Sequence, residues 1–424
     1  MKIYEIFSKY PKIITDSRQA VANSIFFALT GETFDGNNFA AKALAGGCNY
    51  AVVDNPKVVT DQRYILVENV LIALQDLART HRKELNIPVI GITGSNGKTT
   101  TKELLNSVLR EKYTVFSTSG NLNNHIGVPL SILGITKQTQ IAIIEMGANH
   151  VGEIRDLCRI AQPTCGLITN IGKAHLEGFG GLEGVKRAKK ELYDYLDEHS
   201  GTIFYNDENK LLKNMLENSK AQTISYSSNC KGQVLTASPL LNINLQINKN
   251  SYSVSTRIAG AYNLENILAA ACVGVHFAVS EKQITSAIEA YTPQNNRSQI
   301  YKTENNQLFL DYYNANPTSM SESLNNFFKQ IRGAKMVIIG DMFELGDETR
   351  MEHEAIVDLI LRHDAVRIVV GENFYQAAKN KPEVMSFRKL EELKEKLATD
   401  PPKDMSILLK GSRGMKLEEL TELL

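Results

Sequence analysis

The 424-residue sequence has no net charge, since 47 lysines and arginines balance 47 aspartates and glutamates. A chain without excess positive charge has no field that would attract a nucleic-acid backbone or an anionic membrane surface. It also has no apolar run long enough to span a bilayer, because the longest, at 267–279, is interrupted by Gly274 and His276. We therefore expect small-molecule partners, no nucleic acid and no membrane.

Cysteine is scarce, and the five cysteines are an odd number that includes no Cys-x-x-Cys pair. We expect buried thiols in a reducing compartment, because disulfides are typical of oxidising ones. The first residues, 1–14, lack the continuous apolar segment of a secretory signal. The sequence therefore predicts a soluble cytoplasmic protein, and we expect a monomer.

The length predicts three domains at about 150 residues each, and the fold class is α/β. Residues 1–86 show strands around a helix, which indicates a small α/β domain. Residues 87–295 alternate short apolar strands with helices, as in a doubly wound sheet, and 296–424 repeat this pattern as a Rossmann-like domain. Within the central part, 232–257 alternates apolar and polar residues, which predicts an antiparallel hairpin as an edge ornament.

The stretch GITGSNGKTTTKELL, between a strand pattern and a helix pattern, predicts a phosphate-binding loop. Gly94 and Gly97 allow close approach of the backbone, and the amides at the helix start can contact phosphate oxygens. Lys98 supplies a positive charge, and Thr99 offers a hydroxyl to Mg²⁺. Ile92 replaces the first glycine of the usual pattern, so a plain glycine-rich turn is the alternative.

Polar residues at the ends of the next strands predict a site beside this loop. Glu145 ends one predicted strand, His175 follows another, and Lys189 lies in the helix pattern after it. Because carboxyl ends of parallel strands meet at one edge, Glu145, His175 and Thr99 could converge on metal ions near the phosphates. Taken singly, a strand-end glutamate is usually solvated and a lone histidine is more often structural. Mg²⁺ prefers oxygen ligands, so the histidine would imply a second site or a water contact.

Several segments together resemble the Mur ligases of bacterial cell-wall synthesis, whose phosphate loop reads T-G-[ST]-N-G-K-[ST]-[ST] and is TGSNGKTT here. The other matching segments, in family order, are TDSR, GNLNNHIGVP, EMGANHVGEI, AHLEGFGGLEGVKRAKKEL, DYYNANPTSM, GDMFELG and LLKGSR. They are most similar to the branch that uses ATP to join D-alanyl-D-alanine to UDP-N-acetylmuramoyl-tripeptide through an acyl phosphate. The D-N-P-R motif of the diaminopimelate-adding branch is absent from the sequence.

The resemblance implies catalytic residues and a nucleotide site. Catalytic roles fall on Lys98, Glu145, His175 and Lys189, and two Mg²⁺ sites would be served by Thr99, Glu145, His175 and Lys189. Lys189 matches the family lysine that is carbamylated, by alignment through Ala188 and Glu191, with Lys190 as the alternative. The residues implied for ATP are Gly94, Ser95, Asn96, Gly97, Lys98, Thr99, Thr100, Asn263, Asn266, Arg297 and Asp311.

The resemblance also implies where the other substrates bind. The N-terminal domain, 1–86, would hold the UDP-sugar through residues that include Ser17, Arg18 and Thr30. The C-terminal domain, 296–424, would close over the nucleotide and bind the dipeptide. The residues implied for substrate, with those three, are Asn124, Asn314, Asn316, Lys410, Ser412 and Arg413.

Two other functions would also use such a loop. A folylpolyglutamate synthase is a related amide ligase, but the resemblance of residues 1–86 to a UDP-binding module argues against it. A non-catalytic nucleotide switch would keep the loop but would not need Glu145, His175 and Lys189 together. We expect phosphate release that depends on both substrates to separate these three functions.

Overall fold

The computed structural model describes residues 3–293, 297 and 299–424, which form four sheets with helices packed on them. The predicted boundary between the central and C-terminal domains, at 295–296, lies outside the described residues. The predicted boundary at 86–87 falls in a loop between a helix and a strand. Both boundaries stay predictions.

The N-terminal part is a four-stranded parallel sheet with the order β1-β2-β3-β4. Neighbouring residues of β2 contribute to different clusters, because Ile25 and Phe27 pack in one core and Phe26 in another. Both faces of this sheet are therefore covered, as parallel sheets require. The elements are α1 (Ile3–Lys9), β1 (Lys12–Ile14), β2 (Ser24–Phe27), α2 (Ala40–Ala45), β3 (Tyr50–Val53), β4 (Tyr64–Leu66) and α3 (Val70–Glu84).

The central part is a six-stranded parallel sheet with the order β10-β9-β8-β5-β7-β6, which confirms the doubly wound prediction. The chain first builds one side of β5 and then crosses to the other, so the loop after β5 lies where ligands bind in such sheets. The elements are β5 (Val89–Thr93), α4 (Lys98–Arg110), β6 (Val115–Ser117), α5 (Gly127–Leu133), β7 (Ile141–Glu145), α6 (Glu153–Ala161), β8 (Cys165–Ile168), α7 (Leu176–Phe179), α8 (Leu182–Glu198), β9 (Thr202–Tyr205), α9 (Lys210–Asn214) and β10 (Gln222–Ser225).

The predicted hairpin is present, but it belongs to a separate three-stranded antiparallel sheet with the order β11-β12-β13. Alternate residues of β12, beginning at Leu241 and Ile243, are fully buried in a core shared with helices α4, α10 and α11. The prediction that the hairpin decorates the edge of the central sheet is therefore wrong, because the hairpin belongs to a separate sheet that covers helices of the central part. The elements are β11 (Cys230–Ala237), β12 (Leu241–Ile247), β13 (Asn250–Ser255), α10 (Asn263–His276) and α11 (Glu281–Ala290).

The C-terminal part is a six-stranded sheet with the order β14-β15-β19-β16-β17-β18, in which only the β14–β15 pairing is antiparallel. Strands such as β16 are almost entirely buried, as expected for a sheet with helices on both faces. The elements are β14 (Gln299–Lys302), β15 (Gln307–Asp311), α12 (Pro317–Gln330), β16 (Lys335–Gly340), α13 (Thr349–Leu361), β17 (Val366–Val370), α14 (Glu372–Ala378), β18 (Met385–Phe387), α15 (Leu390–Thr399) and β19 (Ser406–Lys410).

All five cysteines are free and buried, which confirms the expectation of buried thiols. Burial raises the pKa of thiols such as Cys165, to about 12, so they stay protonated and unreactive. Among the residues that the structure describes, no helix is both long and apolar enough to cross a bilayer.

Arg82 joins the end of α3 to the central part. Its guanidinium donates to the carbonyl oxygens of Leu85 at 2.7 Å, Ala161 at 2.9 Å and Gln162 at 3.0 Å. The side chain is buried, and the carbonyls belong to helix ends that have no further donors within their own helices. Arg82 therefore holds the C-terminal end of α3 against the C-terminal end of α6, just before β5 begins.

We expect Arg82→Met to lower the free energy of unfolding by about 3 kcal/mol, because it leaves several buried carbonyl groups without a donor. Urea titration followed by circular dichroism measures the change. Lys83→Met, on the exposed side of the same helix, is the matched control and should stay within about 0.5 kcal/mol of the wild type. Equal urea midpoints for the two variants would contradict this role of Arg82.

Candidate functional site

A cavity of about 1140 Å³ opens at the carboxyl ends of the central strands. Its walls come from all three predicted domains: Gln75 lies on α3, the loop 95–100 follows β5, and Asp311 ends β15 in the C-terminal sheet. A cavity that lies at strand ends between structural units is a typical ligand site. The geometry of its walls decides what it can bind.

The loop after β5 comes so close to its neighbours that two positions require glycine. Gly94 has φ +143°, and a Cβ atom there would lie 2.0 Å from Thr169 Oγ1. Gly97 has φ +78°, and a Cβ atom there would lie 2.6 Å from Asn266 Oδ1. Both the backbone conformation and the close approach therefore exclude side chains, as expected for a loop whose amides face a ligand.

Lys98 opens helix α4 and is held by neutral partners. Its Nζ donates to the carbonyl oxygens of Gly94 at 2.7 Å and Ser95 at 3.0 Å. Burial lowers the pKa of Lys98 to about 8; the attraction of Glu145 opposes this shift, and the charge of Arg297 adds to it. An anion bound in the loop would raise that pKa and hold the lysine in its charged form.

Glu145 ends β7 and is buried beside the loop, at the position that the sequence predicts. Its Oε2 accepts from Thr99 Oγ1 at 3.0 Å, and its Oε1 accepts from Asn123 Nδ2 at 2.8 Å. Lys102 Nζ lies 3.9 Å from Oε2. The carboxylate is thus oriented by three neighbours and directly contacts the Thr99 hydroxyl.

The Thr99 hydroxyl and the Glu145 carboxylate fit a hard cation only in part. Both offer the oxygen ligands that Mg²⁺ prefers, and Mg²⁺ commonly takes its remaining ligands from phosphates and water. In the part of the chain that the structure describes, no three His, Cys, Asp or Glu side chains form a metal-binding group. A metal here would therefore depend on the bound phosphates as much as on the protein.

His175 lines the cavity and contacts the C-terminal part. Its Nδ1 is hydrogen-bonded to Oε2 of Glu344, which lies in the loop after β16, and this bond lowers the pKa of the Glu344 carboxyl. The backbone amide of Glu177 also donates to the Glu344 carbonyl oxygen at 3.2 Å. The ring nitrogen of His175 that Glu344 does not engage is Nε2.

The two candidate lysines of α8 lie in different environments. Lys189 is 2% exposed; its Nζ donates to Ala148 O at 3.4 Å and lies 5.1 Å from the centre of the Phe179 ring. Burial, with a further contribution from the charge of Lys98, lowers the pKa of Lys189 to about 7. Lys190 is partly exposed and forms an ion pair with Asp194. Ala148 lines the cavity, so Lys189 lies directly behind its wall.

The asparagines of α10 brace the start of α4. Asn266 Oδ1 accepts from Thr101 Oγ1 at 3.0 Å, and Asn266 Nδ2 donates to Asn263 Oδ1 at 2.8 Å. Asn263 Nδ2 donates in turn to Ala259 O at 2.8 Å. Asn263 and Asn266 both line the cavity, as expected for residues beside a nucleotide.

The C-terminal part reaches the loop through Asn316, and a second polar pair joins two strands of its own sheet. Asn316 Nδ2 donates to Asn96 Oδ1 at 2.7 Å, while Asn316 Oδ1 caps helix α12. The buried Lys410 Nζ donates to Asp311 Oδ2 at 2.6 Å. Asp311 and Lys410, at the ends of β15 and β19, line the cavity, whereas Asn316 contacts the loop beside it.

Arg297 and Asn314 also line the cavity. The Arg297 guanidinium lies 3.7 Å from the centre of the Tyr313 ring. Such stacking orients a guanidinium and leaves its edge for an anion. Arg297 is thus placed toward the loop, where its charge already acts on Lys98.

Several predicted residues lie away from this cavity. Ser17, Arg18 and Thr30 follow β1 and β2, at the carboxyl edge of the N-terminal sheet, where Arg18 pairs with Asp16. Thr30 Oγ1 donates to Asp35 Oδ1 at 3.2 Å. The three residues share one sheet edge that is separate from the phosphate loop.

Two residues after β19 do not reach the cavity walls either. The Ser412 hydroxyl oxygen is buried and accepts from the Phe343 amide at 3.2 Å, so it supports a loop of its own domain. Arg413 is exposed, with its guanidinium 5.3 Å from the centre of the Tyr313 ring. The assignment of Ser412 and Arg413 to the incoming dipeptide stays a prediction.

Sequence reasoning missed three residues that the structure places at the site. Asn123 orients Glu145, whereas the predicted Asn124, which also lines the cavity, accepts with its Oδ1 from Ile126 N and Gly127 N at the start of α5. Tyr313 stacks on Arg297, and Glu344 contacts His175. All three lie in segments that carry the family resemblance, but only spatial contacts reveal their roles.

Two family models and several known proteins match this chain. Residues 92–274 match the Mur ligase middle domain, and residues 296–413 match the glutamate ligase domain of Mur ligases. The UDP-N-acetylmuramoyl-tripeptide–D-alanyl-D-alanine ligase of Bacillus subtilis is 33% identical over 97% of this chain and 92% of that protein.

Solved structures with similar folds include two that are named MurF. MurF from Acinetobacter baumannii has a TM-score of 0.88 and 33% identity, covering 97% of this chain and 92% of that one. MurF ligase from Thermotoga maritima, in complex with ADP, has a TM-score of 0.86 and 26% identity, covering 97% and 96%. Because both domain models match and a relative is 33% identical over 97% of this chain, the chain belongs to the Mur ligase family.

Proposed function

We propose that this protein is an ATP-dependent amide ligase that joins D-alanyl-D-alanine to UDP-N-acetylmuramoyl-tripeptide. The products are the UDP-muramoyl-pentapeptide precursor of peptidoglycan, ADP and phosphate. The observation that carries the proposal is one cavity that joins the phosphate loop to residues of both flanking parts, in a chain of which 97% matches the relative from Bacillus subtilis. A reaction with three substrates needs such a shared cavity.

The loop and the start of α4 would bind the phosphates of ATP. The first amides of a helix have no partners within the helix, and here they lie beside Lys98 on the cavity wall. Lys98 can move from its carbonyl partners to the transferring phosphoryl group, where a positive charge stabilises the transition state. Asn263, Asn266, Arg297 and Asp311 would contact the rest of the nucleotide.

The reaction would proceed in two steps. A terminal carboxylate oxygen of the tripeptide attacks the γ-phosphorus, the bond to ADP breaks, and an acyl phosphate forms. The dipeptide amine then attacks the acyl carbon, phosphate leaves, and the nitrogen loses its proton. Two anions meet in the first step, so Lys98 and the loop amides matter more than any acid or base. Exclusion of water protects the acyl phosphate from hydrolysis.

Mg²⁺ would supply further positive charge to the phosphates when bound. Thr99 and Glu145 would hold one ion, because their oxygens are adjacent and buried next to the loop. His175, through Nε2, and a modified Lys189 would serve the second of the two sites. Both assignments rest on the nature of these side chains and on the family resemblance.

Lys189 would act as a carbamate. Its neutral amine would attack carbon dioxide, form an N–C bond and lose a proton, which leaves a carboxylate on the side chain. Three properties favour this reaction: the amine is buried, its pKa of about 7 keeps much of it neutral, and it has no ion-pair partner among the described residues. The product is a hard oxygen ligand directly behind the cavity wall.

The flanking parts would bind the other substrates. We assign the UDP-sugar to residues 1–86, where Ser17, Arg18 and Thr30 lie at the carboxyl edge of a parallel sheet. The central ATP domain would span 87–295. The dipeptide would bind to 296–424, near Asn314, Asn316 and Lys410. A cytoplasmic location and a monomeric state remain predictions from the sequence.

The proposed reaction predicts that phosphate release from ATP requires both UDP-muramoyl-tripeptide and D-alanyl-D-alanine. A coupled phosphate assay with each substrate omitted in turn measures this, and mass spectrometry identifies the pentapeptide product. L-Alanyl-L-alanine is the matched control for the dipeptide. Release with a folate and glutamate would favour the folylpolyglutamate alternative, and release with neither peptide substrate would favour a nucleotide switch.

Lys98→Ala should reduce turnover roughly 100- to 1,000-fold, because it removes a charge aimed at the transferring phosphoryl group. The fold should persist, since the side chain contacts only loop carbonyls. Steady-state kinetics with circular dichroism as a check on folding measure both effects. Arg110→Ala, on the exposed end of the same helix, is the control and should match the wild type. Near-normal turnover of Lys98→Ala would refute the phosphate-loop assignment.

Lys189→Ala should be almost inactive and partly rescued by acetate, which can fill the vacated space and replace the lost carboxylate. Lys190→Ala is the matched control and should have nearly wild-type activity, because Lys190 pairs with Asp194 at the surface. Turnover measured across an acetate series tests both variants. Full activity of Lys189→Ala without added carboxylate, or acetate rescue of an inactive Lys190→Ala, would show that the wrong lysine is assigned.

A further inference from the structure

We infer that Glu344 is a positioning residue that fixes the ring of His175 and so completes the central site from the C-terminal part. This inference rests on the proposed function, because it assigns Glu344 a role through the histidine of that site.

The contact involves two residues with unusual backbones. His175 has φ +52° and Glu344 has φ +62°, a region that residues with side chains rarely adopt. Such conformations persist where the surroundings determine them, and they cluster at functional sites. Here the two residues face each other, joined by the Nδ1 to Oε2 hydrogen bond and by the Glu177 amide on the Glu344 carbonyl.

The residues before Glu344, 341–343, are anchored inside the C-terminal part. The Met342 amide donates to His353 Nε2 at 3.1 Å, and His353 is fully buried with Nδ1 donating to Thr349 O at 2.7 Å. The Phe343 amide donates to Ser412 Oγ at 3.2 Å. Glu344 therefore extends from a fixed backbone, which Ser412 helps to support.

The chemistry of the pair assigns the two ring nitrogens. A carboxylate can only accept, so Nδ1 of His175 carries a proton, and in the neutral ring Nε2 keeps its lone pair. Partners of this kind fix the tautomer and ring orientation of histidines that bind metals. The ring of His175 also packs edge-on against the ring of Phe179, with 6.4 Å between the ring centres, and Lys189 Nζ lies over the same Phe179 ring. Loss of Glu344 would thus release the ring of His175, which shares the Phe179 contact with Lys189, the other residue predicted for the second metal site.

A contact that only docks the two parts is the simpler explanation, and the structure offers a control for it. Lys173 pairs with Glu352 and lies 3.8 Å from Glu348, at the same interface. Glu348 is partly exposed and is on the same loop region as Glu344, but its ion pair is with Lys173. Removal of Glu348 weakens docking without removing the partner of the His175 ring.

Nitrogen-15 NMR of histidine-labelled, full-length protein without substrates tests the inference, because the two ring nitrogens report the tautomer. The chain has eight histidines, and His175→Gln identifies the signals of interest. We expect the Nδ1–H tautomer in the wild type and in Glu348→Ala. Glu344→Gln should retain it, because the amide oxygen still accepts. Glu344→Ala should shift the signals toward the Nε2–H tautomer.

Kinetics give the second readout. Glu344→Ala should lower kcat about 10- to 100-fold and raise the Mg²⁺ concentration needed for half-maximal activity, as expected for a residue behind a metal ligand. The KM for ATP should change little, Glu344→Gln should retain more activity than Glu344→Ala, and Glu348→Ala should match the wild type.

Identical His175 signals in the wild type and Glu344→Ala would overturn the inference, as would equal losses of activity in Glu344→Ala and Glu348→Ala. The size-matched Glu344→Gln variant keeps the test decisive if Glu344→Ala folds poorly. Failure of the wild type to ligate the two peptides would refute the proposed function alone, because the tautomer is measured without substrates.

Discussion

A buried excess of positive charge at the end of the central sheet is the constraint on which the site depends. Lys98 and Lys102 lie beside the buried carboxylate of Glu145, and the charge of Lys98 contributes to the lowered pKa of Lys189. Burial of charge without a partner is costly, so Lys98 and Lys189 have lowered pKa values. A polyphosphate and a carbamate supply the negative charge that this arrangement lacks. The free protein is thus electrostatically prepared for the ligands that we propose.

The parallel sheet is what allows these groups to meet. Strands β5, β7 and β8 end at the same edge, so Gly94, Glu145 and Thr169 come from distant sequence positions to one place. The two glycines let the loop approach Thr169 and Asn266 closely, and Asn266 then braces α4. Loop conformation, helix start and carboxylate are therefore fixed before any ligand binds, and such preorganisation is a main source of electrostatic catalysis.

Sequence patterns predicted those parts of the site that form from residues close together in the chain. The loop with Lys98 and the strand ending in Glu145 could be read from apolar runs and glycine spacing, because a strand and a following helix form from neighbouring residues. Local patterns did not predict that β11 joins the hairpin strands β12 and β13 in one sheet. They also did not predict the contact between His175 and Glu344, since 169 positions separate that pair. Only the packing of complete domains decides such contacts. Ser412 shows the same limit, because its segment was recognised but its hydroxyl serves Phe343.

The proposed chemistry explains why one site should draw on three parts of the chain. Charge stabilisation needs a rigid arrangement, and the central sheet supplies it through Lys98, the loop and Glu145. Substrate selection needs surfaces that differ between branches of the family, and the flanking sheets supply these at their own strand ends. An acyl phosphate must also be kept from water, which no single sheet edge can do. Two contacts hold the C-terminal part against the proposed phosphate site: Asn316 with Asn96, and Glu344 with His175. Charge stabilisation, substrate binding and exclusion of water can therefore take place in one site.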